Sequence, residues 1–197
     1  LARMARAGEL DGVRITVDSP MALAALDVYR DALADDRHDI RDGVTPRDFE
    51  VPGLREAHTT EASKEIDRYE GPQIVIASSG MATGGRVLHH LVRFLPERTS
   101  TVLLVGYQAT GTRGRALADG ATALKMFGRY VSVRATIETV HGLSVHADQP
   151  ALLDWLRSAT TTPECVFCVH GERDAAHAFA ALVAQELDWT AGVPVQG

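Results

Sequence analysis

The sequence is poor in the residues that stabilise very small or extracellular domains. Only two of its 197 residues are cysteine, and only 6% are aromatic. At this length a chain buries about 70% of its unfolded surface, so it folds without disulfides or a structural metal. Cys165 and Cys168 lie in an apolar stretch that predicts a strand, where positions three apart point to opposite faces. We interpret them as small apolar strand residues in a reducing compartment, and a zinc or redox pair is the less favoured alternative.

Long hydrophobic runs are also lacking. Apolar runs such as residues 102–105 and 166–169 fall far short of the roughly 20 residues that cross a bilayer. The chain does not begin with a basic segment followed by an apolar one, so the sequence predicts neither a membrane protein nor a secreted one, and a cytoplasmic location is expected. The first residue is Leu1 instead of methionine, and we expect that further residues precede it in the natural polypeptide.

Positive charge is in the minority. The chain has 20 Lys and Arg against 26 Asp and Glu, a net charge of −6, which argues against a nucleic-acid coat protein. Lys64 and Lys125 are the only lysines among those 20 basic residues, so the remaining 18 are arginine. Because the arginine fork matches the geometry of phosphate, local phosphate sites are compatible with the acidic total.

Short apolar segments alternate with amphipathic ones along the chain. Strands are predicted at residues 13–17, 73–77, 101–105, 130–133, 135–139 and 165–169. Helices are predicted after the Ser19-Pro20 cap, near residues 63–69, from residue 87, after Asp148 and over residues 174–187. This order predicts an α/β fold with a mostly parallel sheet and flanking helices.

A glycine-rich segment, residues 78–85, follows one predicted strand. Ligands of open α/β sheets bind beyond the carboxyl ends of strands, where glycines allow close approach and helix N–H groups attract anions. The glycine spacing matches neither the dinucleotide-binding fingerprint nor the P-loop. A phosphate site and an ordinary strand-to-helix turn are equally compatible with this segment.

A second glycine-rich segment, residues 106–115, combines an aromatic ring with two arginines. Tyr107 for stacking and Arg113 and Arg115 for phosphate would suit a nucleic-acid strand. The alternative is a solvated loop whose arginines pair with the nearby Asp119.

Two of the eight histidines stand out by their position. His170 ends a predicted strand, and His146 directly precedes a predicted helix, so either imidazole is placed to bind a metal or to protonate a leaving oxygen. A simple hydrogen-bonding role is the alternative for both. Two histidines are too few for a zinc site. His89 and His90 lie in an amphipathic helix and are expected at the surface.

Five short motifs occur in order from Val13 to about Pro194. They are Asp18-Ser19-Pro20-Met21-Ala22, Ser79-Gly80-Met81-Ala82-Thr83-Gly84-Gly85-Arg86, Gly106-Tyr107-Gln108 with Gly111-Thr112-Arg113-Gly114-Arg115, Ser144-Val145-His146-Ala147-Asp148 and Val169-His170-Gly171-Glu172. Together they resemble the metallo-β-lactamase-fold nucleases of the β-CASP group. The strongest likeness is to prokaryotic RNA-processing exonucleases related to the cleavage and polyadenylation endonuclease.

The resemblance implies a division of the chain into two parts. Residues 1–138 would be the later part of a β-CASP domain. Residues 139–197 would be the returning C-terminal segment of a metallo-β-lactamase αββα fold, the RNA-specificity region. The implied substrate is single-stranded RNA, the implied cofactor is zinc, with two ions in an intact enzyme, and a homo-oligomer is left open.

The resemblance also assigns roles to particular residues. His146 matches a histidine that contacts the scissile phosphate and protonates the leaving group, and His170 matches a zinc ligand typical of RNA-acting members. The residues implied to line the RNA channel or contact its phosphates are Ser144, Ser79, Gly80, Thr83, Gly84, Arg113 and Arg115.

The chain departs from the family by lacking several of its motifs, among them an upstream aspartate, further histidine and aspartate ligands and a glutamate of the early β-CASP segment. The His-x-His-x-Asp-His signature, which supplies most zinc ligands, does not occur in this chain. We therefore expect that this chain is the C-terminal portion of a zinc-dependent ribonuclease. It would supply at most one zinc ligand, and it would be inactive alone because the N-terminal metallo-β-lactamase half is absent from it. The alternative is a non-catalytic RNA-binding module or a partner subunit of the same fold. A dinucleotide-binding domain is less favoured, because the ribose-binding acidic residue is also missing.

Overall fold

The computed structural model describes residues 1–35, 40–143 and 146–194, which form two compact units. The first unit is Leu1–Val140 and the second is His141–Gly197. Among the described residues, no helix has both the length and the apolar character needed to span a membrane. The predicted fold class is confirmed, because helices alternate with strands that pair mostly in parallel.

The first half of the first unit is built on three parallel strands. They are β1 (Arg14–Asp18), β2 (Leu54–Glu56) and β3 (Gln73–Ala77), in the order β2-β1-β3. Strand β1 is central, and its residues from Ile15 to Asp18 are all buried. Asp18 pairs with Ala77, so the segments that follow β1 and β3 begin side by side at the carboxyl edge of the sheet.

The helices of this half are α1 (Ala2–Arg6), α2 (Pro20–Ala34), α3 (Pro46–Phe49) and α4 (Thr60–Arg68). The predicted start of α2 is confirmed: Pro20 is its first residue, and the Ser19 hydroxyl accepts a hydrogen bond from the Ala22 N–H at 3.1 Å. The helix predicted near residues 63–69 is α4. Helices α1 and α3 and strand β2 are short, and the apolar pattern did not reveal them.

The second half contains a second parallel pair and a hairpin. Its elements are α5 (Val87–Phe94), β4 (Thr101–Val105), α6 (Arg113–Ala118), β5 (Ala123–Met126), β6 (Arg129–Ser132) and β7 (Thr136–Val140). Strands β4 and β7 pair in parallel, and β5 and β6 form an antiparallel hairpin. Leu95, Leu117 and Met126 are fully buried in the core beneath them. Strand β5 was not predicted.

The second unit consists of α7 (Gln149–Arg157), β8 (Val166–Phe167), α8 (Arg173–Leu187) and β9 (Ala191–Gly192). The prediction of a buried five-residue strand at residues 165–169 is wrong in length and burial. In the described part of the chain β8 pairs with β9 over two residues, and Cys168 packs on α8 while Phe167 and Val169 are 66% and 67% exposed. Within residues 146–194, only the face of this segment that carries Cys168 is covered.

Candidate nucleic-acid interface

Loop 1, residues 78–86, leaves the carboxyl end of β3 and leads into α5. The Ser79 and Thr83 hydroxyls lie 2.9 Å apart, and the Thr83 N–H points to the Ser79 hydroxyl at 3.4 Å. Thr83 is exposed and Ser79 is half-buried. The structure therefore brings together the two hydroxyl groups that were expected to line an RNA channel.

The glycines of loop 1 are of two kinds. Gly85 has φ +79°, and a Cβ there would lie 3.2 Å from the Ser78 carbonyl oxygen, so the fold itself requires glycine. Gly80 and Gly84 have φ values outside the left-handed region, and a Cβ at either would have no atom of the described chain within 4 Å. Packing within the described chain does not explain these two glycines, and their backbone is open to close approach from outside.

The second glycine-rich segment (residues 106–115), named loop 2, packs on loop 1 through Arg113 and Gly114, which begin α6. Arg113 donates from Nη1 to the carbonyls of Ala82 and Thr83, both at 3.3 Å, and from Nε to the Lys125 carbonyl at 3.0 Å. The Gly114 N–H donates to the Met81 carbonyl at 2.9 Å. The guanidinium of Arg113 thus joins loop 1 to the β5–β6 hairpin.

Gly114 and Arg115, near the start of α6, both make close contacts within the described chain. A Cβ at Gly114 would lie 1.8 Å from Gln108 Oε1 and 3.1 Å from the Met81 Cα, so the close contact of the loops requires glycine. Arg115 Nε donates to both carboxylate oxygens of Asp119 at 2.9 Å, which is the pairing considered as the alternative. Phosphate contacts by Arg113 and Arg115 stay predictions.

A buried polar cluster, named the Asp18 cluster (Asp18, Ser63, Asp67, Arg86 and His90), lies beneath loop 1. The Asp18 side chain is 0% exposed. Its carboxylate accepts hydrogen bonds from the Ser63 hydroxyl at 2.5 Å, from Arg86 Nη1 at 2.6 Å and from His90 Nε2 at 2.7 Å. His90 Nδ1 lies 2.7 Å from Asp67 Oδ1. The ring of His90 therefore bridges the carboxylates of Asp18 and Asp67.

This arrangement keeps Asp18 charged. Burial raises the pKa of Asp18, but the hydrogen bonds from Ser63, Arg86 and His90, together with the charge of His90, lower it by more. The pKa therefore lies below the ordinary value of 3.8. Asp18 is an ionised carboxylate at neutral pH in the interior of the first unit.

Asp18 and its neighbour Ser19 hold the two ends of loop 1. The Ser19 hydroxyl lies 2.6 Å from the Ser78 hydroxyl where the loop begins. Arg86, where the loop ends, bonds Asp18 and also donates to the Ala57 carbonyl at 2.8 Å. Two consecutive residues at the end of β1 therefore position both ends of the segment that carries the candidate RNA-binding residues.

The sequence pattern missed this cluster. His90 was expected at the surface, but it is 5% exposed and bonded at both ring nitrogens, so that expectation is wrong. A prediction from helical periodicity treats histidine as polar and places it on the exposed face of the helix. In the structure, His90 instead contacts carboxylates from β1 and α4. The motifs that contain Asp18 and Arg86 were the only signal of these partners.

The remaining candidates belong to the second unit. His146 is exposed and lies just before α7, where the Asp148 carboxylate caps the helix by accepting from the Ala151 N–H at 2.9 Å. His170 is exposed and has φ 62°, in the left-handed region that is unfavourable for residues other than glycine. Ser144 lies outside the described residues.

The described residues do not by themselves form a metal centre. No group of three or more His, Cys, Asp or Glu side chains suited to a metal ion occurs in residues 1–35, 40–143 and 146–194. Cys165 and Cys168 are free thiols, and burial, followed by the proximity of Cys165, raises the pKa of the Cys168 thiol. A zinc site of three or four protein ligands would need side chains beyond the described ones, so we derive no reaction step through zinc.

Comparison with known proteins places both parts of the chain in families. Residues 1–117 match the Beta-Casp domain, and residues 130–194 match the Zn-dependent metallo-hydrolase RNA specificity domain. These matches confirm the resemblance carried by the five motifs.

Individual relatives agree with the family matches. Over 191 residues the chain is 37% identical to Ribonuclease TTHA0252 of Thermus thermophilus, covering 92% of this chain and 43% of that protein. Over 134 residues it is 33% identical to Transcription termination factor FttA of Methanocaldococcus jannaschii, covering 66% and 21%. An RNase J-like protein of the same archaeon is 33% identical over 126 residues, covering 64% and 29%. The chain spans less than half the length of each of these relatives. Together, the family matches and the relatives show that the chain belongs to the β-CASP family of metallo-hydrolases.

Proposed function

We propose that the chain carries the RNA-binding surface and one side of the active site of a zinc-dependent ribonuclease that hydrolyses phosphodiester bonds. The observation that carries this proposal is the open backbone of loop 1 at Gly80 and Gly84. The space beside Gly80 and Gly84 lets a sugar–phosphate chain approach closely, and the neighbouring Ser79 and Thr83 hydroxyls suit its oxygens. The family description, an RNA specificity domain of Zn-dependent metallo-hydrolases, supports RNA as the ligand.

In this proposal His146 and His170, both exposed residues of the second unit, have different tasks. His146 contacts the scissile phosphate and donates a proton to the leaving oxygen, as an imidazole can at neutral pH. His170 supplies one zinc ligand. Its left-handed backbone supports this role, because unfavourable conformations of non-glycine residues are often found at functional sites. Ser144 lines the RNA channel beside His146.

We further propose that the 197 residues bind RNA but do not cleave it. The reason is the number of zinc ligands. A catalytic zinc site uses three protein ligands plus a water, and the sequence contains no His-x-His-x-Asp-His signature to supply them. The other ligands would come from an N-terminal metallo-β-lactamase half. EDTA-sensitive RNA cleavage by the purified 197-residue chain would contradict this part of the proposal.

The hydrolytic function is tested in a chimera. The matching 191 residues of the Thermus thermophilus ribonuclease are replaced by this chain, and the unchanged ribonuclease is the positive control. We expect EDTA-sensitive cleavage of single-stranded RNA by the chimera. His146→Ala should lower turnover while zinc content, measured by elemental analysis, is retained, whereas His170→Ala should lower zinc content.

A folded, zinc-loaded chimera that leaves RNA intact would contradict the proposed hydrolase. RNA binding by such an inactive chimera would instead favour the alternative, a non-catalytic RNA-binding module. Equal zinc content in the unsubstituted and His170→Ala chimeras would refute the ligand assignment alone.

A further inference from the structure

The β5–β6 hairpin presents an exposed face that the proposed function leaves unused. Lys125 and Tyr130 are directly opposite each other in the antiparallel register. In such a pair the Cβ atoms lie about 5 Å apart on the same side of the sheet. Tyr130 is 76% exposed, and its neighbours on this face, Ala123 and Ser132, are small. These four residues are called the hairpin face, and they leave one aromatic ring and one ammonium group accessible.

The opposite side of the hairpin explains why this face can be exposed. Leu124, Met126 and Val131 are 0% to 6% exposed and belong to the core of the first unit. They anchor the hairpin, so folding does not need Tyr130 or Lys125. An exposed ring of this size on a rigid strand is therefore available for a ligand.

The local charge differs from that of the whole chain. Residues 120–137 contain three basic residues, Lys125, Arg129 and Arg134, and no Asp or Glu, although the chain has a net charge of −6. A basic segment with an exposed aromatic ring is the combination that binds single-stranded nucleic acid, because the cations meet phosphates and the ring stacks on a base. The four residues of the hairpin face are too few for a stable protein interface, which buries about 800 Å² on each partner.

The hairpin is joined to the candidate RNA-binding loop by one contact and to the helix that follows this loop by another. Arg113 bonds the Lys125 carbonyl with Nε and the Thr83 carbonyl with Nη1. Phe127, at the hairpin turn, packs on His89 of α5 with ring centroids 4.7 Å apart. The hairpin is therefore fixed next to loop 1 within the same unit.

We propose that the hairpin face binds one nucleotide of single-stranded RNA beside loop 1, with the base stacked on Tyr130 and a phosphate paired with Lys125. This inference rests on the proposed function, since it assigns a further contact for the same RNA. The face extends the binding surface of loop 1 without taking part in hydrolysis.

Fluorescence anisotropy tests the proposal, using the 197-residue chain and a labelled short oligoadenylate in EDTA, so that binding is measured apart from cleavage. Removing a stacking ring weakens single-strand binding about tenfold, and we expect this for Tyr130→Ala. Tyr130→Phe should bind like the wild type, because the ring is retained. Lys125→Ala should reduce the slope of log K against log salt by about 0.7, the value for one phosphate contact.

Two matched variants control for the loss of a ring or of a charge elsewhere. Lys64 on α4 is the only other lysine, and Tyr29 on α2 is a second exposed tyrosine of the same unit. Lys64→Ala and Tyr29→Ala should bind RNA like the wild type. Photocrosslinking of the wild-type complex, followed by mass spectrometry, should place the nucleotide on Tyr130.

The outcomes separate this proposal from the proposed function. Unchanged binding in both Tyr130→Ala and Lys125→Ala overturns the hairpin face and leaves the RNA-binding function standing. A shift from dimer to monomer in Tyr130→Ala, seen by sedimentation without RNA, would show that the face binds a second copy of the chain and would also overturn it. If the wild type itself binds no RNA at low salt, both the hairpin proposal and RNA binding by this chain fail.

Discussion

Replacing Asp18 by alanine should strongly destabilise the first unit. Asp18 is completely buried and accepts hydrogen bonds from Ser63, Arg86 and His90 at 2.5 to 2.7 Å. Alanine removes the anion and leaves the partly buried Arg86 and the buried His90 without their shared acceptor. Removing one partner of a buried ion pair costs about 3–5 kcal/mol, mostly through the uncompensated charge that stays behind.

This loss is large compared with the free energy of unfolding of natural domains, about 5–15 kcal/mol. For a chain of this size, each kcal/mol lowers the melting temperature by about 2–4 °C, so a fall of about 10 °C is expected. The first glycine-rich loop should also loosen, because Arg86 would lose its anchor on β1. RNA binding should weaken with it.

Urea unfolding followed by circular dichroism measures the effect. Asp119→Ala is the matched control, since Asp119 is an exposed carboxylate paired with Arg115 and should contribute no more than about 0.5 kcal/mol. Once Asp18 is gone, the added His90→Ala substitution should cost less than it does in the wild type, because the two side chains act as one unit. A loss below about 1 kcal/mol for Asp18→Ala would refute the reasoning.

Three further predictions concern pH, glycine and the left-handed histidine. Because the pKa of Asp18 is lower in the folded chain than the ordinary 3.8, Asp18 stabilises the fold above about pH 4, and this contribution is lost as the pH falls through the folded value. The free energy of unfolding of Asp18→Asn should therefore fall less steeply on acidification than that of the wild type, and parallel acid limbs would contradict the assignment. Gly80→Ala and Gly84→Ala should change the free energy of unfolding by less than about 0.5 kcal/mol yet weaken RNA binding. Gly114→Ala should destabilise the fold by about 1–3 kcal/mol, because its Cβ would meet Gln108 and Met81. Equal losses of stability in all three variants would disprove this difference between open and closely packed glycines. His170→Gly should raise the free energy of unfolding by up to about 1 kcal/mol, because glycine adopts the left-handed conformation without strain, and His170→Ala should not. The zinc content of the chimera should fall in both variants. A destabilised His170→Gly would contradict the argument from backbone conformation.

The sequence predicted features that depend on neighbouring residues. The Ser19 cap, the helix after it and strands β3 and β4 follow from capping chemistry and apolar periodicity over a few residues, and all appear in the structure. The glycine-rich segment that carries Ser79 and Thr83 was also located, because its composition is a local feature, whereas the RNA-binding role of the two hydroxyls comes from the resemblance and stays a prediction.

Features that depend on distant partners were missed or wrong. His90 lies 72 residues from Asp18, and nothing in an amphipathic helix indicates that one of its polar positions meets a buried carboxylate. Residues 165–169 were predicted to form a buried strand because they are apolar. Burial, however, depends on which other elements cover each face of the strand. In the described chain α8 covers the Cys168 side and leaves Phe167 exposed.

The attachment of loop 1 at both ends limits how its length can change. Ser78 is held by Ser19, and Arg86 by Asp18, so two consecutive residues where β1 ends set the distance that the segment between Ser78 and Arg86 must span. An insertion or deletion within residues 79–85 would have to break one of these bonds or displace the interior of the loop. In a set of homologous sequences this segment should therefore keep a constant length, although surface loops as a class accept insertions and deletions readily.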